Sequence, residues 1–145
     1  MSDPRALFDR MLAAINAHDL QTASEFISPD CEIVTPFATL RGPEHFKTYI
    51  QGLIDAFPDF KQTVHNTVCE GSTLVTEWTL TGTHQAPLRM PNGSVVPPTG
   101  KKMNAHGCDV YKWEGGQIIV DRIYRDRLET LIQLGLSPDP AAARA

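Results

Sequence analysis

Two hydrophobic rhythms divide the chain, and the change between them falls just past Phe57. From Leu7 to Ile54 the apolar residues recur at helical intervals. Leu7, Phe8, Met11, Leu12 and Ile15 form one stripe behind Ser2-Asp3-Pro4, where a first-turn Pro costs no hydrogen bond. This predicts a helix to about His18. Asp19 to Phe26 reads as a second, short helix with Leu20, Ala23 and Phe26 inward, and Ser28-Pro29-Asp30 as a turn. Cys31 to Pro36 predicts a short strand, which Pro36 confines to an edge or an end. Arg41-Gly42-Pro43-Glu44 starts a third helix, with Glu44 complementing the dipole. Its buried face carries Phe46, Tyr49, Ile50, Leu53 and Ile54, and Phe57-Pro58-Asp59 ends it.

Thereafter the period becomes two. Phe60 to Cys69, Thr73 to His84, Met103 to Trp113 and Gln117 to Asp126 are rich in Val, Ile, Thr, Tyr and Trp, which predicts long strands. Gly71-Ser72 and Gly115-Gly116 join them as hairpin turns. The Pro- and Gly-rich stretch from Gln85 to Lys102 predicts a rim or lid loop. Thr130 to Leu136 predicts a closing helical turn, and residues 138–145 a frayed tail. Helices followed by antiparallel strands make the fold class α+β. Three helices laid on one curved sheet leave a cone with a hollow, in a single domain over residues 1–145.

Composition narrows the function classes. With 145 residues, 41% hydrophobic and 21% charged, the chain can bury one ordinary core. A net charge of -4 argues against partners that want a basic face, so neither nucleic acid nor an anionic membrane is expected. No apolar run approaches the roughly 20 residues of a spanning helix, and the start MSDPRALFDR lacks a signal-peptide layout, so a cytoplasmic location is expected. Cys31, Cys69 and Cys108 are odd in number and widely spaced, which suits buried small hydrophobes better than a disulfide framework or a zinc site.

The segment Met103 to Asp126 carries the candidate chemistry. Asn104, His106 and Cys108 share one face of its first strand, and Ile119, Asp121 and Ile123 share one of the second. If the hairpin brings these faces together, an imidazole and a carboxylate stand side by side over the sheet. A carboxylate flanked by Ile119 and Ile123 would have its proton affinity raised by desolvation, as a base working near neutrality requires. A one-residue slip in the turn Trp113–Gln117 would instead turn Asp121 away and bring in Asp126 or Arg122. Asp126 also suits the cap of the final helix. Further candidates for lining a hydrophobic ligand site are Phe37, Trp78 and His84, the last bordering the proline-rich loop.

Several fragments in order extend this reading: Ala56-Phe57-Pro58-Asp59, Glu77-Trp78 leading into Thr81-Gly82-Thr83-His84, and Pro97-Pro98-Thr99-Gly100-Lys101. Gly116-Gln117-Ile118-Ile119 and Asp126 through Gln133-Leu134-Gly135 complete the series. Together they resemble the SnoaL-like polyketide cyclases, within the nuclear transport factor 2-like, or cystatin-like α+β barrel, superfamily. The resemblance implies a cone-shaped barrel and a cofactor-free enzyme that closes a ring by intramolecular aldol condensation of a polyketide ester. It assigns Asp121 as general acid and base, with His106 and Asn104 as its partners. It also implies a homodimer or homotetramer acting on a hydrophobic small molecule such as an aromatic polyketide. Two other functions fit the same cone: an isomerase or cofactor-independent hydroxylase, and a non-catalytic ligand-binding module.

Overall fold

The computed structural model describes residues 3–90 and 92–137, so the tail expected at 138–145 lies outside the described residues. Helix α1 (Pro4–Asn16) starts where Asp3 accepts a hydrogen bond from the Arg5 N–H at 3.1 Å. Helix α2 (Leu20–Ser24) is capped in the same manner by Asp19, which accepts from the Thr22 N–H. Strand β1 (Ile27–Val34) begins earlier than the sequence suggested. Its pairing shifts register between Ile27 and Glu32, and Pro29 falls inside that irregular stretch, where a missing N–H is tolerated. Strand β2 (Thr39–Arg41) is too short to show a period, and helix α3 (Gly42–Ala56) follows directly.

Strands β3 (Lys61–Glu70) and β4 (Thr73–Thr83) form the expected hairpin. The loop after them holds a small ribbon of its own, β5 (Leu88–Arg89) on β6 (Val95–Val96). Strands β7 (Lys102–Glu114) and β8 (Gln117–Arg125) form the second long hairpin, and α4 (Arg127–Gln133) closes the described chain. Asp126 caps α4, its Oδ1 accepting from Leu128 and Glu129 N–H at 3.0 and 3.2 Å. Among the described residues no helix is long and apolar enough to cross a membrane.

The six-stranded sheet runs β2-β1-β8-β7-β4-β3, with β1 parallel to β8 and the other pairs antiparallel. It curves without closing, so β2 and β3 remain edges and helices complete the cone in place of a barrel wall. The apolar stripes of α1 and α3 cover the inner face. Phe8 is 1% exposed and its ring lies 5.4 Å from that of Tyr111 on β7. Burying an aromatic of this size contributes about 1.5–3 kcal/mol. Phe46 and Ile50 of α3 pack into the same core as Ile33, Trp78 and Leu80.

Candidate active site

Alternation along β7 decides what faces the hollow. Met103, Ala105, Asp109, Tyr111 and Trp113 are buried, whereas Asn104 and His106 are exposed. On β8 the register pairs Tyr111 with Asp121 and Asp109 with Ile123. Residues opposite one another in a ladder share a face, so Asp121 joins Asp109 and Tyr111 inside. The expected pairing of Asp121 with His106 is overturned: they stand on opposite faces of the sheet. The slip that would have replaced Asp121 by Asp126 or Arg122 does not occur, since the irregularity between Lys112 and Trp113 leaves Asp121 inward.

The chamber lies between this inner face and the helices. Met11 and Ile15 of α1, Phe46, Tyr49, Ile50 and Leu53 of α3, and Ile33, Phe60, Trp78 and Leu80 supply apolar walls. Asp109, Asp121, Tyr111 and Gln62 supply its polar groups. The volume open to a water-sized sphere is about 40 Å³, room for only a few waters. Tyr49, Leu53 and Ile123 are half-buried and mark its rim.

Two carboxyl groups in this space cannot both ionise cheaply. Asp121 is 4% exposed and its Oδ1 is buried with no hydrogen-bond partner. Desolvation, then the neighbouring Asp109 charge, pushes its pKa well above the ordinary carboxylate value. Burial raises Asp109 as well, but hydrogen bonding with Asp121, Trp78 and Tyr111 pulls the other way. Trp78 Nε1 donates to Asp109 Oδ1 at 2.8 Å. Asp109 is therefore the member whose charge the protein supports, and Asp121 the member that holds the shared proton. Burial and both carboxylates raise the Tyr111 phenol well above its usual value, so it stays a neutral donor. Trp78 reaches Asp109 because Gly107 lies under its indole; a Cβ there would meet Trp78 Cη2 at 2.3 Å.

The remaining sequence candidates sit elsewhere. The β8 ladder ends at the pair Gly107 and Arg125, so the edge of β7 beyond it needs other partners. Side chains of α4 supply them. The Asn104 N–H donates to Gln133 Oε1 at 2.8 Å, and the Asn104 carbonyl accepts from Gln133 Nε2 at 2.9 Å. The His106 N–H donates to Glu129 Oε1 at 2.7 Å, and its ring Nδ1 lies 3.0 Å from the same oxygen. These two residues dock α4, and neither lines the chamber. Phe37 is 55% exposed in the turn between β1 and β2, with the Arg127 guanidinium 4.9 Å above its ring. His84 is fully buried against Phe57; its Nδ1 accepts from the Thr99 N–H at 3.2 Å and ties down the loop before β7. Of the ligand-lining candidates only Trp78 faces the hollow.

Asp109 and Gln62 escaped the sequence reading. The parity that makes Tyr111 and Trp113 core residues also places Asp109 inside, and that signal was present in the strand. The Gln62 N–H donates to Asn16 Oδ1 at 2.8 Å and its carbonyl accepts from Asn16 Nδ2 at 2.9 Å. Its backbone is thus tied to α1 while its side-chain amide lines the chamber. Cys31 is buried as expected, its thiol pushed up to about 12 by burial and by the Asp121 and Glu32 charges, which leaves it inert.

Comparison with known proteins identifies the family and the fold. The family model for SnoaL-like polyketide cyclases matches residues 6–134. Among solved structures, IdmH of Streptomyces antibioticus, a proposed polyketide cyclase, is 26% identical with a TM-score of 0.78, over 92% of this chain and 99% of that one. AclR of Streptomyces galilaeus, a proposed hydroxylase, is 25% identical with a TM-score of 0.78, over 92% and 96%. A proposed SnoaL-like polyketide cyclase from Jannaschia sp. CCS1 shares the fold at 20% identity and a TM-score of 0.79, over 95% and 99%. A search of curated proteins finds no match. By family match, fold and chamber together, this chain belongs to the SnoaL-like polyketide cyclase family.

Proposed function

We propose that the chamber closes a ring by cofactor-free intramolecular aldol condensation of a polyketide ester, with Asp121 as the acid and base. One observation carries this reading: the buried, unpartnered Oδ1 of Asp121 faces an apolar chamber beside a second carboxyl group. A methylene between two carbonyls is already acidic, so its proton can pass to a carboxylate whose basicity is raised by desolvation. Above its raised pKa Asp121 loses the shared proton, and in that ionised form it takes the substrate proton. The C–H electron pair becomes the enolate, and the enolate carbon bonds to a ketone carbon of the same molecule. The proton gained by Asp121 then goes to the new alkoxide, leaving the carboxylate as it began. Gln62 donates from its amide to the carbonyl on which charge develops, in place of the Asn104 expected from sequence. Asp109, held by Trp78, sets the basicity of Asp121. Acid–base help of this kind is worth roughly 10²–10⁴-fold.

A chamber of about 40 Å³ is far smaller than the roughly 300–1,000 Å³ of ordinary ligand pockets. Substrate access therefore requires α3 to shift outward at its half-buried rim, Tyr49 and Leu53. The pure protein should convert an aromatic polyketide methyl ester to its ring-closed product without added metal, flavin or nicotinamide, and Asp121→Asn should abolish that conversion. Unchanged turnover by the variant would rule the reading out. The likeness to AclR favours a second reading, cofactor-independent hydroxylation in the same chamber, which oxygen consumption coupled to product would reveal.

The outer face of the sheet exposes Tyr124 (57%) and Val68 (55%), and we propose that it assembles the chain into a homodimer or homotetramer. A monomer in sedimentation at micromolar concentration would contradict that.

A further inference from the structure

Where β8 ends and α4 begins stand two arginines, Arg125 and Arg127, that no carboxylate among the described residues pairs with. Asp121, Ile123 and Arg125 alternate onto the same face of the strand. Arg125 Nη2 donates to Thr130 Oγ1 at 3.1 Å, but its Nε and Nη1 are buried without any hydrogen-bond partner. The guanidinium lies beside the phenol of Tyr49, which lines the chamber. Arg125 also lines an outer cleft of about 460 Å³ that shares Ile123 with the chamber, so it stands at the partition between the two. The carboxylate in that cleft, Asp126, is engaged by the backbone N–H groups of α4.

Arg127 brings a second positive charge to the same end of the cone. Burial and the nearby Arg125 charge push its pKa down, as expected for a cation lacking a counter-ion. A guanidinium cannot shed its charge to escape burial, and N–H groups removed from water without a partner are unfavourable. An oxyanion placed between the arginines would satisfy the orphaned donors and quench the mutual repulsion at once.

We propose that Arg125, with Arg127 beside it, binds a free carboxylate at the end of the substrate remote from the reacting ester, so that the site prefers aromatic ligands carrying that acid group to those in which it is neutralised. Arg125 lies four residue steps along the strand from Asp121, roughly 13 Å at the strand rise. The ligand is therefore long enough for the reacting carbons to sit at Asp121 while its acid group lies at the rim. This rests on the chamber being the substrate site.

Binding of 2-naphthoate and of methyl 2-naphthoate, followed by calorimetry, tests both layers separately. The protein should bind the acid at least about tenfold more tightly than the ester. Arg125→Gln should erase that preference, leave the ester's affinity within about threefold, and keep the melting temperature close to the parent's. Arg127→Gln, at the first position of α4, should reduce the preference in part and serves if Arg125→Gln does not fold. Equal affinity for acid and ester, or a preference that survives both substitutions, would overturn the arginine site alone. Failure of both probes to bind would overturn the chamber as a ligand site and this inference with it.

Discussion

Asp109 and Asp121 stand on neighbouring strands, offset by one inward step, because Asp109 pairs with Ile123 and Asp121 with Tyr111. The offset brings two carboxyl groups into one apolar chamber, and only Asp109 receives the Trp78 donor. The chemistry of the site follows from that asymmetry.

Removing the charge of Asp109 should make Asp121 more acidic. In Asp109→Asn the amide oxygen still accepts from Trp78, while the repulsion that raises Asp121 disappears. The acid limb of the rate–pH profile should therefore move to lower pH. The plateau rate should fall, since a weaker base takes the proton less readily. An acid limb that stays in place would show that the two carboxyl groups do not communicate.

Stability should depend on pH in the sense opposite to that of a salt-bridged carboxylate. Asp121 has its folded pKa raised above the ordinary 3.8. Between that value and the raised one, the native state keeps a proton the unfolded chain has lost. Stability therefore falls as pH rises through this window and levels off above it. Each tenfold difference in proton affinity is worth about 1.4 kcal/mol. Asp121→Asn should flatten the trend and melt a few degrees above the parent at pH 8. Thermal melts across pH 4 to 9 check this, and a variant less stable than the parent throughout would contradict it.

His106→Ala should leave turnover within about threefold of the parent, because the imidazole is on the outer face. The side chain is 63% exposed beside Glu129, and losing an exposed pair costs at most about 1 kcal/mol. A hundredfold loss of activity would place the imidazole in the reaction after all.

Gly107→Ala should damage the site from beneath. Its added methyl group collides with the Trp78 indole, which must then move off Asp109. Overpacking of this kind costs typically 1–3 kcal/mol. The expected signature is a shifted tryptophan emission together with reduced turnover. Full activity with unchanged emission would mean that the indole is not held where it matters.

These relationships were legible in the sequence to different depths. The helical stripe from Leu7 to Ile15 and the long alternating strands are strong periodic signals, and the helices and hairpins they predict are present. The facing of Asp121 depends on a register the sequence leaves open: Ile123 shares its inward parity, whereas Ile119 falls in the irregularity between Lys112 and Trp113. His106 lies on the polar parity of β7, and chemistry alone pairs it with the acid; the burial requirement of the strand turns it outward. Tyr111 and Trp113 carry the large apolar surface of β7, and Asp109 has their parity; that parity governs the facing of the whole strand. What sequence could not reveal was the capture of the Asn104 and His106 backbone by Gln133 and Glu129. Those contacts depend on where β8 stops pairing, and strand ends leave no periodic trace. The short strands β2, β5 and β6 were missed because two or three residues cannot display an alternation.

The proposed acid–base role requires Asp121 to hold a proton where ordinary carboxyl groups have lost it. Titration of the Asp121 side-chain carbon by ¹³C NMR, in the parent protein, reads this directly. The predicted result is a midpoint well above the normal aspartate range. A midpoint near 4, the value of a solvated carboxylate, would contradict the shared proton and with it the proposed acid–base role.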